Sequence, residues 1–110
     1  MDGFYVTYVT ARAGTAIILW VIRGATMVGV DAGGLKYDGE LKQTDAGFHC
    51  SIVYIIPPNA SLITGTPLSP NSQRIPLEFD LPADFTNGQV VSILTPLGPV
   101  NAKFEKLRDL

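Results

Sequence analysis

Hydrophobic and polar residues alternate with a period of two over several short stretches of this chain. In the clearest case, residues 35–42, one phase holds Leu35, Tyr37, Gly39 and Leu41 and the other holds charged residues. Because successive side chains of a β-strand point to opposite faces, this pattern predicts a strand with one buried and one solvated face. No stretch has the 3.6-residue period of an amphipathic helix. The chain is therefore predicted to be all-β.

Clusters of glycine, proline and asparagine separate the apolar stretches and predict strands joined by turns. The predicted strands are residues 2–11, 15–23, 25–31, 35–43, 48–56, 74–81, 89–95 and 100–106. One short helical turn is predicted at Pro82–Phe85. Eight antiparallel strands in an open sheet leave two unpaired edges, and closure into an up-and-down barrel removes them. An eight-stranded antiparallel up-and-down β-barrel is therefore predicted, with an open sandwich as the alternative.

The chain has 110 residues, the size of one ordinary domain, so residues 1–110 are expected to form a single barrel domain. The interior of an eight-stranded barrel is either filled by side chains or holds one small ligand. Residues 57–73 form the longest segment without a strand pattern. This segment is expected to be either a cover over the barrel or a solvated excursion.

Charged residues make up 16% of the chain, and the formal net charge is −2. Such a chain offers no basic surface to a phosphate backbone, so nucleic-acid binding is not expected. The longest unbroken apolar run, Ala16–Ile22, is far shorter than the ~20 residues that cross a bilayer, so no membrane span is expected. The chain starts without the pattern of an export signal and has a single cysteine. These features predict a cytoplasmic protein.

Candidate catalytic groups are scarce in this sequence. His49 is the one histidine and Cys50 follows it directly, but neighbours on a strand point to opposite faces and cannot form a dyad. Asp38 and Glu40 alternate with lysines and are expected to lie on a solvated face. The carboxylates show no metal-ligand spacing, so no metal or other cofactor is expected. The sequence predicts a non-enzymatic protein, with an isomerase or cyclase that uses a barrel pocket as a minor alternative.

Aromatic residues are concentrated in the predicted strands. On the inward phase of a closed barrel they would line an interior pocket, although ordinary core packing explains the same pattern. The candidate ligand-binding residues are Trp20, Tyr37, Phe48, Tyr54, Leu77, Phe79 and Phe104. A carrier or sensor of a small apolar, lipid-like ligand is the function that these residues suggest.

The run Ala16–Ile22 is apolar on both phases of its strand, so only one phase can face the barrel interior. Because charged residues are scarce, a second subunit is expected to cover the other phase, with coverage by a loop as the alternative. The fifth strand also has apolar residues on both phases. The candidate interface residues are Ile17, Leu19, Val21, Val53 and Ile55. The chain is therefore predicted to form a homodimer.

Four motifs in the chain resemble the GrlR family, the negative regulators of a type III secretion gene locus. The motifs are Asp2–Tyr5, Gly24–Asp31, Tyr37–Leu41 and Ala102–Glu105. The resemblance implies a calycin-like barrel and a cytoplasmic homodimer that regulates transcription by sequestering an activator protein. The family engages that activator through an acidic loop, whose counterpart here, Gln43–Gly47, holds one carboxylate. The leading hypothesis is a regulatory binding module that acts by protein–protein interaction.

Overall fold

The computed structural model of the chain describes all 110 residues and contains eight strands. The strands are β1 (Gly3–Ala11), β2 (Gly14–Arg23), β3 (Thr26–Asp31), β4 (Lys36–Thr44), β5 (Gly47–Ile56), β6 (Gln73–Pro82), β7 (Val90–Thr95) and β8 (Gly98–Asp109). Every predicted strand is present. The last one extends further than predicted, because both of its ends find pairing partners, on β7 at Gly98 and on β1 at Asp109. No membrane-spanning α-helix is present in the structure.

All eight strands lie in one antiparallel sheet with the order β6-β5-β4-β3-β2-β1-β8-β7. The first and last strands of the chain pair with each other, with Val6 opposite Glu105. The two outermost strands, β6 and β7, approach each other without strand pairing, so the barrel is nearly closed. The order of strands around the barrel is thus their order along the chain. The prediction of an eight-stranded up-and-down barrel is confirmed, and the architecture is consistent with a calycin-like barrel.

The segment between β6 and β7 contains hydrogen-bonded turns where a short helical turn was predicted. The Phe85 N–H donates to the Pro82 carbonyl at 3.1 Å, and the Asn87 N–H donates to the Asp84 carbonyl at 2.9 Å. Strand pairing of β6 continues as far as Pro82, and the first turn begins at that residue. The helical turn is therefore replaced by two successive turns.

Phe85 fills one end of the barrel. Its side chain is 3% exposed, and its ring stacks on Tyr5 with the ring centroids 5.9 Å apart. It also meets Phe48 and Phe104 edge-on, at centroid distances of 5.7 and 5.5 Å. Edge-to-face and stacked contacts of this kind are the favoured arrangements of aromatic side chains. Aromatic side chains therefore fill this end of the barrel.

Candidate functional site: the barrel cavity and the outer apolar face

A cavity of about 250 Å³ lies inside the barrel, at the end opposite Phe85. Of its 25 lining residues, 18 are hydrophobic, and none is a lysine, arginine or histidine. Pockets for drug-sized ligands usually measure roughly 300–1,000 Å³. This cavity is slightly smaller than that range and has a mainly hydrophobic lining. It therefore suits a small, largely apolar molecule.

Most of the predicted ligand-binding residues line this cavity. They are Trp20, Tyr37, Tyr54, Leu77, Phe79 and Phe104. Phe48 is not among the lining residues, because it lies at the opposite end of the barrel and packs against Phe85. Alternation along β5 identifies the inward phase of the strand but does not say how far along the barrel each inward side chain lies.

An aromatic cluster forms one wall of the cavity. The Tyr37 ring lies between the rings of Trp20 and Tyr54, with centroid distances of 5.2 Å and 5.9 Å. Trp20 is 4% exposed, and its indole N–H donates a hydrogen bond to the Thr7 hydroxyl at 2.9 Å. These contacts hold the three rings in fixed positions. Because the chain has a single tryptophan, its fluorescence reports on this cavity.

Asp31, at the end of β3, is the one charged side chain on the cavity lining. Its Oδ1 accepts hydrogen bonds from the backbone N–H groups of Gly33 at 2.9 Å and Leu35 at 3.0 Å. Its Oδ2 accepts a hydrogen bond from the Tyr37 hydroxyl at 3.0 Å. The sequence pattern does not single out Asp31 as a site residue, because an aspartate two residues before a glycine pair is typical of a turn. Only the turn geometry directs its carboxylate to the cavity.

The two tyrosine hydroxyls on this wall remain protonated at physiological pH. Burial raises the pKa of Tyr37 far above its ordinary value, and the charge and hydrogen bond of Asp31 raise it further. Burial also raises the pKa of Tyr54, although a hydrogen bond with Thr95 partly opposes this rise. Tyr37 therefore acts as a neutral donor, and Asp31 alone supplies the charge of the site.

Part of the long segment between β5 and β6 covers the cavity. Its residues 61–64 contribute to the cavity lining. The Ile63 carbonyl accepts a hydrogen bond from the Ala13 N–H at 2.6 Å, which ties the segment to the β1–β2 turn. Leu62 packs against a small cluster of buried apolar residues that includes Leu35. Of the two expectations for residues 57–73, the structure supports a cover.

His49 and Cys50 lie on opposite faces of β5. On the outer surface, the Nδ1 of His49 is 2.6 Å from Asp80 Oδ1, and its Nε2 is 3.1 Å from Glu78 Oε1. The hydrogen bonds with Asp80 and Glu78 raise the pKa of His49. Cys50 is fully buried, and this burial raises the pKa of its thiol to about 12. The imidazole and the thiol therefore cannot act together. No group of three or more histidine, cysteine, aspartate and glutamate side chains is arranged to hold a metal ion.

A continuous apolar surface covers the outside of β1, β2 and β3, and we call it the outer patch. It consists of Phe4, Tyr8, Ile17, Leu19, Val21, Val28 and Val30, and Val6 lies on the same outward phase but is only 4% exposed. The strand register places Val6 opposite Leu19 and Leu19 opposite Val30, so apolar side chains adjoin one another across the three strands. Ile17 is 53% exposed and Leu19 is 52% exposed. The outer patch contains three of the predicted interface residues, Ile17, Leu19 and Val21.

The other two predicted interface residues, Val53 and Ile55, lie outside the outer patch. They occupy the outward phase of β5 and are half-buried. Their neighbours on β4 are Asp38 and Lys36, which lie between them and β3. The five predicted residues thus form two outward surfaces, separated by a charged strand.

No family model matches this chain, and neither a curated protein nor a solved structure matches it. The resemblance to the GrlR family therefore rests on the four sequence motifs.

Proposed function

We propose that this protein is a non-catalytic binding module that holds a small apolar ligand in the cavity of its barrel. The observation that carries this proposal is the cavity of about 250 Å³, which lies in a barrel whose other end is packed by Phe85. Protein interiors are close-packed and contain few voids larger than a water molecule. An apolar space of this size, kept open by aromatic and aliphatic side chains, is the expected feature of a ligand site.

The cover over the cavity supports the same proposal. Residues 61–64 lie against the cavity, but the segment that contains them pairs with no strand. A cover held by few backbone hydrogen bonds can open locally at low free-energy cost while the barrel stays folded. The barrel then supplies a fixed site, and the segment supplies a route for ligand entry.

Titration with 1-octanol, followed by Trp20 fluorescence and by calorimetry, tests this function. Saturable binding of one octanol per chain is expected. Ala16 lines the cavity from β2, so the ring introduced by Ala16→Phe is expected to occupy the cavity and weaken binding about tenfold or more. Leu19→Phe is the matched control, since Leu19 is on the same strand but faces outward. The absence of saturable binding, or equal binding by the Ala16→Phe protein, overturns the proposal.

A second candidate function is favoured by the outer patch. We propose that two copies of the chain associate through it, forming a cytoplasmic homodimer that binds a regulatory protein, as the GrlR resemblance implies. Exposed apolar patches larger than a few hundred Å² are rare on monomeric soluble proteins. A two-fold dimer buries the same patch of both subunits, so one apolar surface suffices. The two functions are compatible, because most of the cavity lining faces the barrel interior and the patch faces outward, and the two meet only at Ile17 on the rim.

A further inference from the structure

We infer that the ligand of the cavity carries a positively charged amine on its apolar body. This inference rests on the proposed ligand-binding function and specifies the chemical class of the ligand. Two features support it. Asp31 is the one charged side chain on the cavity lining, and it lies next to the aromatic wall through its hydrogen bond with Tyr37.

The charge on the cavity lining is of one sign. Asp31 supplies a carboxylate, and no lysine, arginine or histidine accompanies it. A ligand with a carboxylate or phosphate would bring a second negative charge next to Asp31, with no cationic side chain to pair with it. Asp31 is half-buried, and two like charges close together repel each other when no cationic side chain lies between them. The cavity therefore discriminates against anions such as fatty acids.

The Asp31 carboxylate also has room for another donor. A carboxylate offers about four lone-pair positions. The N–H groups of Gly33 and Leu35 occupy two positions on Oδ1, and the Tyr37 hydroxyl occupies one on Oδ2. One acceptor position on Oδ2 is thus free of protein donors. An ammonium group can donate to it and neutralise the charge in the same contact.

The aromatic wall begins at the same carboxylate. Tyr37 both donates to Asp31 and lies between the rings of Trp20 and Tyr54. Cations are attracted to the faces of aromatic rings, and this attraction increases when the site is shielded from water. A carboxylate that is hydrogen-bonded to one member of a cluster of three aromatic side chains is a combination that recognises an ammonium group. The aliphatic lining, including Ile52 and Leu77, is left for the apolar body of the ligand.

A series of three probes with the same chain length tests the inference on the native protein. The probes are octylammonium, 1-octanol and octanoate, titrated near neutral pH and followed by Trp20 fluorescence and calorimetry. Octylammonium is expected to bind about tenfold more tightly than octanol, which corresponds to ~1.4 kcal/mol, and octanoate at least about tenfold more weakly than octanol. The common octyl chain keeps the apolar contribution constant, so the differences report the head group.

Substitution of Asp31 identifies the source of the preference. Asp31→Asn keeps an acceptor oxygen for the turn but removes the charge, so the affinity for octylammonium is expected to fall much more than the affinity for octanol. Asp38→Asn makes the same change of net charge on the outer face of β4, where the side chain is exposed, and is expected to keep the native preference. If the Asp31→Asn protein does not fold, the probe series on the native chain still decides the question.

The possible results separate the inference from the function on which it rests. Octanoate binding as tightly as octylammonium, or an unchanged preference in the Asp31→Asn protein, overturns the inference and leaves the ligand-binding function standing. If none of the three probes binds, the ligand-binding function itself fails, and the inference fails with it.

Discussion

The indole N–H of Trp20 donates a hydrogen bond to the hydroxyl of Thr7 at 2.9 Å and so links β2 to β1 inside the barrel. Thr7 is the one polar residue among the buried residues, and no buried side-chain nitrogen or oxygen lacks a partner. The hydrogen bond fixes the ring that forms part of the cavity wall. This one hydrogen bond therefore contributes both to the stability of the barrel and to the shape of the cavity.

Removal of the Thr7 hydroxyl is expected to destabilise the protein. Thr7→Val keeps the shape of the side chain but leaves the Trp20 N–H unpaired, and an unsatisfied buried donor costs roughly 1–3 kcal/mol. Thr7→Ser retains the hydroxyl and is expected to lower the free energy of unfolding by less. Urea denaturation measures both losses. An equal or larger loss for Thr7→Ser would show that the methyl group matters and the hydrogen bond does not.

A side chain at Gly29 is expected to displace the Trp20 ring. Gly29 is opposite Trp20 in the pairing of β2 with β3, and a Cβ at this position would lie 2.7 Å from Trp20 Cε3 and 2.8 Å from the Leu19 carbonyl oxygen. Because both neighbours are too close, Gly29→Ala is expected to cost about 1–3 kcal/mol of stability and to shift the tryptophan fluorescence. Val28→Ala, on the outward phase of the same strand, is the control and should leave the fluorescence unchanged. Native fluorescence in the Gly29→Ala protein contradicts the prediction.

Polar substitution in the outer patch is expected to convert a dimer into a monomer. Burial of one isoleucine or leucine side chain contributes about 1.5–3 kcal/mol. The double variant Ile17→Ser/Leu19→Ser is therefore expected to weaken association by about a hundredfold or more, as measured by light scattering over a range of concentrations. The double variant Val53→Ser/Ile55→Ser, on the separate surface of β5, should remain dimeric. Dimerisation that survives in the first variant, or a native chain that is monomeric throughout, refutes this interface.

The stability of the protein is expected to depend on the charge of His49. The pKa of His49 is raised above its ordinary 6.5, so its stabilising contribution is fully present below pH 6.5 and is lost as the pH rises through the raised pKa. The hydrogen bond from His49 lowers the pKa of Glu78 below its ordinary 4.5, so that contribution is present above pH 4.5 and is lost as the pH falls through the lowered pKa. The pair is thus expected to contribute most between pH 4.5 and 6.5.

An NMR titration of the single imidazole measures this effect directly. Asp80→Asn is expected to lower the pKa of His49 more than Glu78→Gln does, because the hydrogen bond with Asp80 is shorter and is the larger cause of the shift. The His49→Gln protein is the control, and its stability should lose the pH dependence above pH 6.5. If neither Asp80→Asn nor Glu78→Gln changes the pKa of His49, the prediction is wrong.

The strands and their turns could be predicted from the sequence because both signals are local. Residues 35–42 alternate, and the strand Lys36–Thr44 forms there. At Pro82–Phe85, where one short helical turn is predicted, the structure has a hydrogen-bonded turn and no helix.

The sequence by itself determined the all-β fold and, where hydrophobic and polar residues alternate, which residues share a face of a strand, because successive side chains of a strand point to opposite faces. Only the tertiary structure decided which residues each face of a strand contacts. Phe48 and Tyr54 share the inward phase of β5, yet Phe48 meets Phe85 and Tyr54 lines the cavity. The outward residues Leu19 and Val53 are both candidate interface residues, yet they lie on separate surfaces because β4 is between them. Depth in the barrel and adjacency around it depend on residues far apart in the chain, and no local period carries that information.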